Sequence, residues 1–131
     1  MKKLFKTLLV IVIVLAVLII SSVAIVYFRM SAQVRSFDKT PVDVGQVADG
    51  VYNGISKTDL VKVEVQVTVS GGMIENIVIL KHECGRGGPA NKIVEDMVDR
   101  NDVEVDAVSG ATMSSEVIKD AVRNALRAGT L

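Results

Sequence analysis

From Leu8 to Ile20 the chain holds nothing but aliphatic side chains, and apolar character extends from Leu4 to Phe28 past Ser21 and Ser22. The hydrocarbon core of a bilayer, about 30 Å thick, takes roughly 20 such residues as a helix. Residues 1–28 therefore read as an N-terminal transmembrane anchor. A cleavable signal peptide usually carries a shorter apolar stretch, about 7–15 residues, ahead of a small-x-small site. The one such site here, Ser22–Ala24, falls inside the apolar run. A helix buried in a soluble core does not need this length. Lys2, Lys3 and Lys6 precede the span and predict a single-pass protein of the cell membrane, with its N-terminus in the cytoplasm and the rest outside. Arg29 and Arg35, just after the span, pull the other way.

Residues 29–48 read as a juxtamembrane connector and 49–131 as one small domain. All 15 acidic residues lie beyond the anchor, against 12 basic ones, so this part of the chain is mildly acidic. A nucleic-acid partner is excluded on that ground, because phosphate binding needs clustered Lys and Arg. Trp is absent and aromatics make up only 4% of the chain, which leaves no platform for stacking bases. Cys84 is the single cysteine and cannot close an intramolecular disulfide. It reads either as a small loop residue or as a reactive or intermolecular thiol.

Within the domain, Val61 to Val69 runs V-K-V-E-V-Q-V-T-V. Strict period two makes this a strand with one buried and one wet face. Ser70-Gly71-Gly72 follows as a turn, and Met73 to Leu80 returns as the second strand of a hairpin. Gly50 to Ser56 predicts a shorter strand in the same sheet. Two helices are expected over residues 89–100 and 113–128. The first carries Pro89 in its opening turn and an apolar stripe of Ala90, Ile93, Val94, Met97 and Val98. The second places Ile118, Ala121, Val122, Ala125 and Leu126 on one face, Lys119, Arg123 and Arg127 toward its C-terminal part, and Gly129 at its stop. The expected fold class is α+β, a small antiparallel sheet packed by two helices and preceded by the anchor.

Several chemistries drop out. One His and one Cys do not make a tetrahedral zinc site, and His82 and Cys84 lack a third ligand. No nucleophile elbow or Ser-His-Asp order is present. "G-R-G-G-P" at 85–89 has neither dinucleotide nor Walker spacing. It reads as a plain sheet-to-helix connection or as a loop that lets a flat ligand approach the backbone. "D-A-V-S-G-A-T-M-S-S", Asp106 to Ser115, places small residues just before the last helix. It reads as simple capping by Thr112, Ser114 or Ser115, or as an anion site at the helix start.

Asp106 to Thr112 fits the pattern D-x-x-[ST]-G-A-T, and the chain resembles the FMN-binding domain family. That family includes the covalently flavinylated subunits of sodium-pumping NADH:quinone reductases and of the related Rnf complexes. "D-G-V-Y-N-G" (49–54), the hairpin segment 63–82 and "S-S-E-V-I-K-D-A-V-R-N-A-L" (114–126) resemble further family blocks in the usual order. The resemblance implies that the Thr112 hydroxyl is esterified to the phosphate of FMN. It also implies a Mg-dependent flavin transferase that uses FAD as donor and releases AMP. Asp106, Ser109, Gly110 and Ala111 become recognition and cofactor-binding residues, with Ser114 and Ser115 beside them. The segment His82 to Gly88 is expected to approach the flavin ring. There the chain departs from the family's H-x-E-T-P-G-like pattern, with "H-E-C-G-R-G-G-P-A", so the contacts of His82, Glu83 and Arg86 do not carry over directly. The function implied is electron transfer by an extracytoplasmic carrier, with redox proteins or a quinone as donor and acceptor. The rival readings are a small flavin reductase with its own substrate and a non-redox tethered binding domain.

Overall fold

The alternating valines form the central strand of the sheet. In the computed structural model, which describes residues 1–83 and 88–130, β2 (Lys62–Ser70) lies between β1 (Gly50–Lys57) and β3 (Met73–Glu83), antiparallel to both. Val63, Val65, Val67 and Val69 are at most 1% exposed, while Lys62, Glu64, Gln66 and Thr68 on the other face stay partly wet. Each fully buried side chain of this kind contributes about 1.5–3 kcal/mol, so a row of them commits the strand to one face. The register pairs Gly50 with Val69 and Lys57 with Lys62; on the far side Ser70 faces Met73 and Lys62 faces Glu83. β3 thus runs past Leu80, where the apolar pattern ends, because β2 still offers it a backbone partner.

Helices α2 (Ile93–Arg100) and α3 (Thr112–Ala128) cover the valine face. Ile93 and Met97 of α2, and Val117, Ile118, Ala121, Val122, Ala125 and Leu126 of α3, are fully buried. α3 lies over β1 and β2, and α2 over β3. The first helical segment is divided: Gly88–Lys92 is a short 3-10 turn, and α2 proper starts at Ile93. Pro89 therefore sits in the tighter turn ahead of the α-helix.

Two glycines set how closely α3 approaches. A Cβ on Gly54 would lie 1.9 Å from the Ala121 carbonyl oxygen and 2.7 Å from the Ala125 nitrogen, so strand and helix touch through backbone. Gly129 ends α3 in the ordinary right-handed region, at φ −102, rather than as a left-handed cap. A Cβ there would meet the Tyr52 ring at 2.3 Å, and that packing requires the glycine.

Helix α1 (Lys2–Arg35) is the one helix among the described residues long and apolar enough to cross a membrane, and its apolar window is not buried against the rest of the chain. It runs past Phe28 into the expected connector, where Met30 and Val34 are buried. Gln33 Nε2 donates to Asp59 Oδ1 at 2.8 Å, and the Asp59 N–H donates to Gln33 Oε1 at 3.0 Å, tying α1 to the β1–β2 turn. The chain then follows α3: Arg127 Nη2 donates to the carbonyls of Asp38 (2.8 Å) and Thr40 (3.2 Å), and Lys39 pairs with Glu116 at 3.5 Å. A 3-10 turn, Val44–Gln46, and a bridge from Val47 to Thr130 complete the path to β1.

Candidate functional site

The stretch from Asp102 to Ala111 connects α2 to α3 without helix or strand, yet it is pinned at intervals. Val103 and Val105 are buried, and between them Glu104 turns out toward α3. There Arg123 Nε donates to Glu104 Oε1 at 2.8 Å; Nη2 stands 2.7 Å from the same oxygen, and Lys119 Nζ lies 3.4 Å from Oε2. Arg123 is 1% exposed, so its charge is almost wholly removed from water. Partial burial alone would raise the Glu104 carboxyl, but the hydrogen bond and charge of Arg123, with Lys119 behind them, hold it below the usual carboxylate range.

The motif itself is a turn closing onto a helix. The Ala111 N–H donates to the Val108 carbonyl at 3.0 Å, and Gly110 takes φ +78, the left-handed conformation that favours glycine. Its chain neighbours aside, no atom of the described residues lies within 4 Å of where a Gly110 Cβ would stand, so the space above the turn is open. Ser115, fully buried, latches the turn to the helix: its Oγ accepts from the Val108 N–H at 3.0 Å and donates to the Ala111 carbonyl at 2.8 Å.

Ala111 is the N-cap of α3, and no side chain caps the helix. Capping by Thr112, Ser114 or Ser115 is thus not what the geometry contains. Thr112 is the first helical residue and is exposed; Ser114, two residues on and roughly half a turn around the helix, is buried at 5% exposure. The N–H groups of Thr112, Met113 and Ser114 have no helical carbonyl behind them. The first turn also holds no acidic residue to answer the positive end of the helix. Asp106, Ser109 and Gly110, just ahead of the helix, are exposed, and Ala111 is buried. An exposed hydroxyl beside unanswered N–H donors and small side chains can receive a phosphate group.

His82 lies at the end of β3, paired in register with Val63. It is half-buried; its Nδ1 hydrogen-bonds Asn91 Oδ1 on the 3-10 turn, which packs against α3. With Nδ1–H donating, Nε2 is the acceptor nitrogen, and it is buried without a partner among the described residues. Glu83 is exposed and pairs with Lys81 at 2.9 Å, which holds its carboxyl low. Cys84 and Arg86, with Gly85 and Gly87, lie outside the described residues.

Residues 60–127 match the sequence model of the FMN-binding domain family. The chain belongs to that family. The match covers the hairpin, α2, the turn and nearly all of α3, while β1 pairs with β2 from upstream of it. The family binds FMN, and the residues present suit such a group: a helix start without a cap, open space over Gly110, and a buried His82 nitrogen with no partner among the described residues. Three features escaped the sequence reading. Asn91 as the partner of His82, Ser115 as latch rather than cap, and Glu104 as the counter-ion of Arg123 each depend on contacts between separate segments. Only the Glu104 pairing left a trace, as an acid in a loop facing a basic helix stripe.

Proposed function

We propose that this FMN-binding domain is an electron carrier, held at the membrane by α1 and facing out of the cytoplasm, with FMN esterified to the Thr112 hydroxyl. The observation that carries this is the placement of Thr112: an exposed hydroxyl on the first residue of an uncapped helix, behind a turn with open space above it. In the attachment step Thr112 Oγ1 gives up its proton and takes the FMN phosphorus of FAD, while the phosphorus–oxygen bond to AMP breaks. An alcohol is unreactive at its free pKa, so activation is assigned to a separate Mg-dependent flavin transferase. The phosphodiester keeps one negative charge, which the N–H groups of Thr112 to Ser114 and the helix dipole stabilise. Ser109, Gly110 and Ala111 leave room for it, Ser115 holds the turn, and Asp106 and Ser114 border it. His82 Nε2 is available to a polar edge of the ring.

When bound, FMN supplies the redox chemistry, and the protein supplies position and electrostatics. Its donor and acceptor are redox proteins or a quinone. Esterification suits a site outside the cell, where a dissociated cofactor is lost by dilution.

The test is co-expression with a flavin transferase, denaturation, and intact mass with in-gel flavin fluorescence. The expected result is a mass gain of one FMN less water together with fluorescence, both absent in Thr112→Ala. Fluorescence that survives in denatured Thr112→Ala would overturn the assignment.

A further inference from the structure

The joint between α1 and the domain fixes which end of the domain meets the bilayer. α3 runs antiparallel to β1: Gly129 lies against Tyr52, Ala125 and Ala121 against Gly54, and Asp120 accepts a hydrogen bond from Ser56 at 2.6 Å. From Ser56 the chain goes on one residue in β1 and two in the turn to Asp59, an extended reach of three residues at most, and from Asp120 the helix goes back eight to Thr112. At about 3.3 Å and 1.5 Å per residue these are about 10 and 12 Å, so Thr112 is level with the β1–β2 turn. His82, in register with Val63 at the start of β2, is at that same end. Gly50, the Ser70–Met73 hairpin turn and Gly129 mark the opposite one.

Gln33 bonds to Asp59 in this turn, and it follows Phe28, the last residue of the apolar run, by only five residues. Five residues are about 7.5 Å of helix. The headgroup layer on each side of a bilayer, about 40–45 Å thick overall around a core of about 30 Å, is roughly 5–8 Å deep. The turn therefore sits at headgroup depth. At its tip Leu60, an apolar side chain, is 55% exposed, with Lys57 and Lys62 at the ends of the strands beside it. Apolar tips flanked by lysines suit an interface where hydrocarbon meets charged headgroups.

We infer that the β1–β2 turn is a second bilayer contact, with Leu60 seated among the lipid headgroups, and that this contact faces the Thr112 end of the domain toward the membrane. The inference rests on α1 as the membrane span. Its consequence is that a redox partner reaches the site from the membrane plane, as a lipid-soluble quinone or a membrane-embedded protein does.

The chain has no Trp, so single Trp substitutions report position cleanly. Full-length Leu60→Trp, Met73→Trp and Leu15→Trp, prepared free of flavin, are placed in phosphatidylcholine nanodiscs carrying nitroxide on either the headgroup or the acyl chain. The expected result is that the headgroup nitroxide quenches the Leu60→Trp protein several-fold more than the Met73→Trp protein, with blue-shifted emission from the former. Equal, weak quenching of those two, while Leu15→Trp is quenched by the acyl-chain nitroxide, overturns the contact and leaves the anchor standing. Absence of acyl-chain quenching in Leu15→Trp overturns the anchor itself.

Discussion

Gly110 carries two demands at once: a left-handed backbone at φ +78, and open space where a side chain would otherwise stand. The first demand is modest. A non-glycine residue held in this region costs about 1–2 kcal/mol, and the added Cβ meets no atom of the described residues beyond its chain neighbours. The second falls on the ligand, because a valine there fills the approach to the start of α3. Gly110→Val should therefore lower stability by about 1–2 kcal/mol yet abolish most flavin attachment. Urea unfolding and the flavinylated fraction by intact mass measure the two separately; parallel losses in both would refute the division. At this scale the sequence was readable where the chemistry is local. The D-x-x-[ST]-G-A-T motif is one contiguous run, so the family resemblance can be seen in it without any tertiary contact. The role of Ser115 cannot, because its two hydrogen bonds exist only once the turn at Val108–Ala111 has closed.

Among the elements, α3 combines an apolar stripe that any periodicity reading finds with a charged face that it does not. Lys119, Arg123 and Arg127 read as cations suited to the helix's C-terminal half, but Arg123 is 1% exposed and depends on Glu104. Removing one partner of such a pair leaves a buried charge uncompensated, a cost of about 3–5 kcal/mol in a dry interior. Glu104 is 40% exposed, so water relieves part of this, and Glu104→Gln should cost about 1–3 kcal/mol. The pH dependence follows from the direction of the shift. Folded Glu104 titrates below its unfolded value, about 4.3, so its contribution is complete above that pH and is lost as pH falls through the lower, folded value. Asp38, held low chiefly by the hydroxyl and N–H of Thr40, acts in the same direction. Chemical denaturation from pH 7 to pH 3 should therefore show a shallower acid loss in Glu104→Gln than in the wild type, though not a flat one. An unchanged slope would mean that the pair does not report on folding. The strands were legible for the opposite reason: period two needs only one buried face. β3 was read too short because Lys81, His82 and Glu83 break the apolar pattern, whereas its pairing with Lys62 and Val63 does not depend on side-chain polarity.

On the scale of the whole chain, the sequence marks an apolar run and a patterned segment after it, while the way they join is visible only in the structure. Sequence marks where apolar residues stop, at Phe28, but a helix ends where its packing ends. Met30 at 8% and Val34 at 6% exposure show α1 continuing as part of the domain's core to Arg35. Each buried apolar side chain of this size is worth about 1.5–3 kcal/mol at most, less what the isolated last turns of α1 lose by fraying. A soluble fragment of residues 29–131 should accordingly be more stable than one of residues 36–131, by about 2–4 kcal/mol. The difference should appear as a higher urea midpoint, and in the shorter fragment Asp59 and the β1–β2 turn should exchange amide protons faster, having lost Gln33. Identical midpoints and exchange rates would mean that α1 merely passes by the domain. A packed joint, by contrast, makes the orientation of the Thr112 end relative to the bilayer a property of the fold itself, because Gln33 ties α1 to the β1–β2 turn while Lys39 and Arg127 hold the following segment along α3.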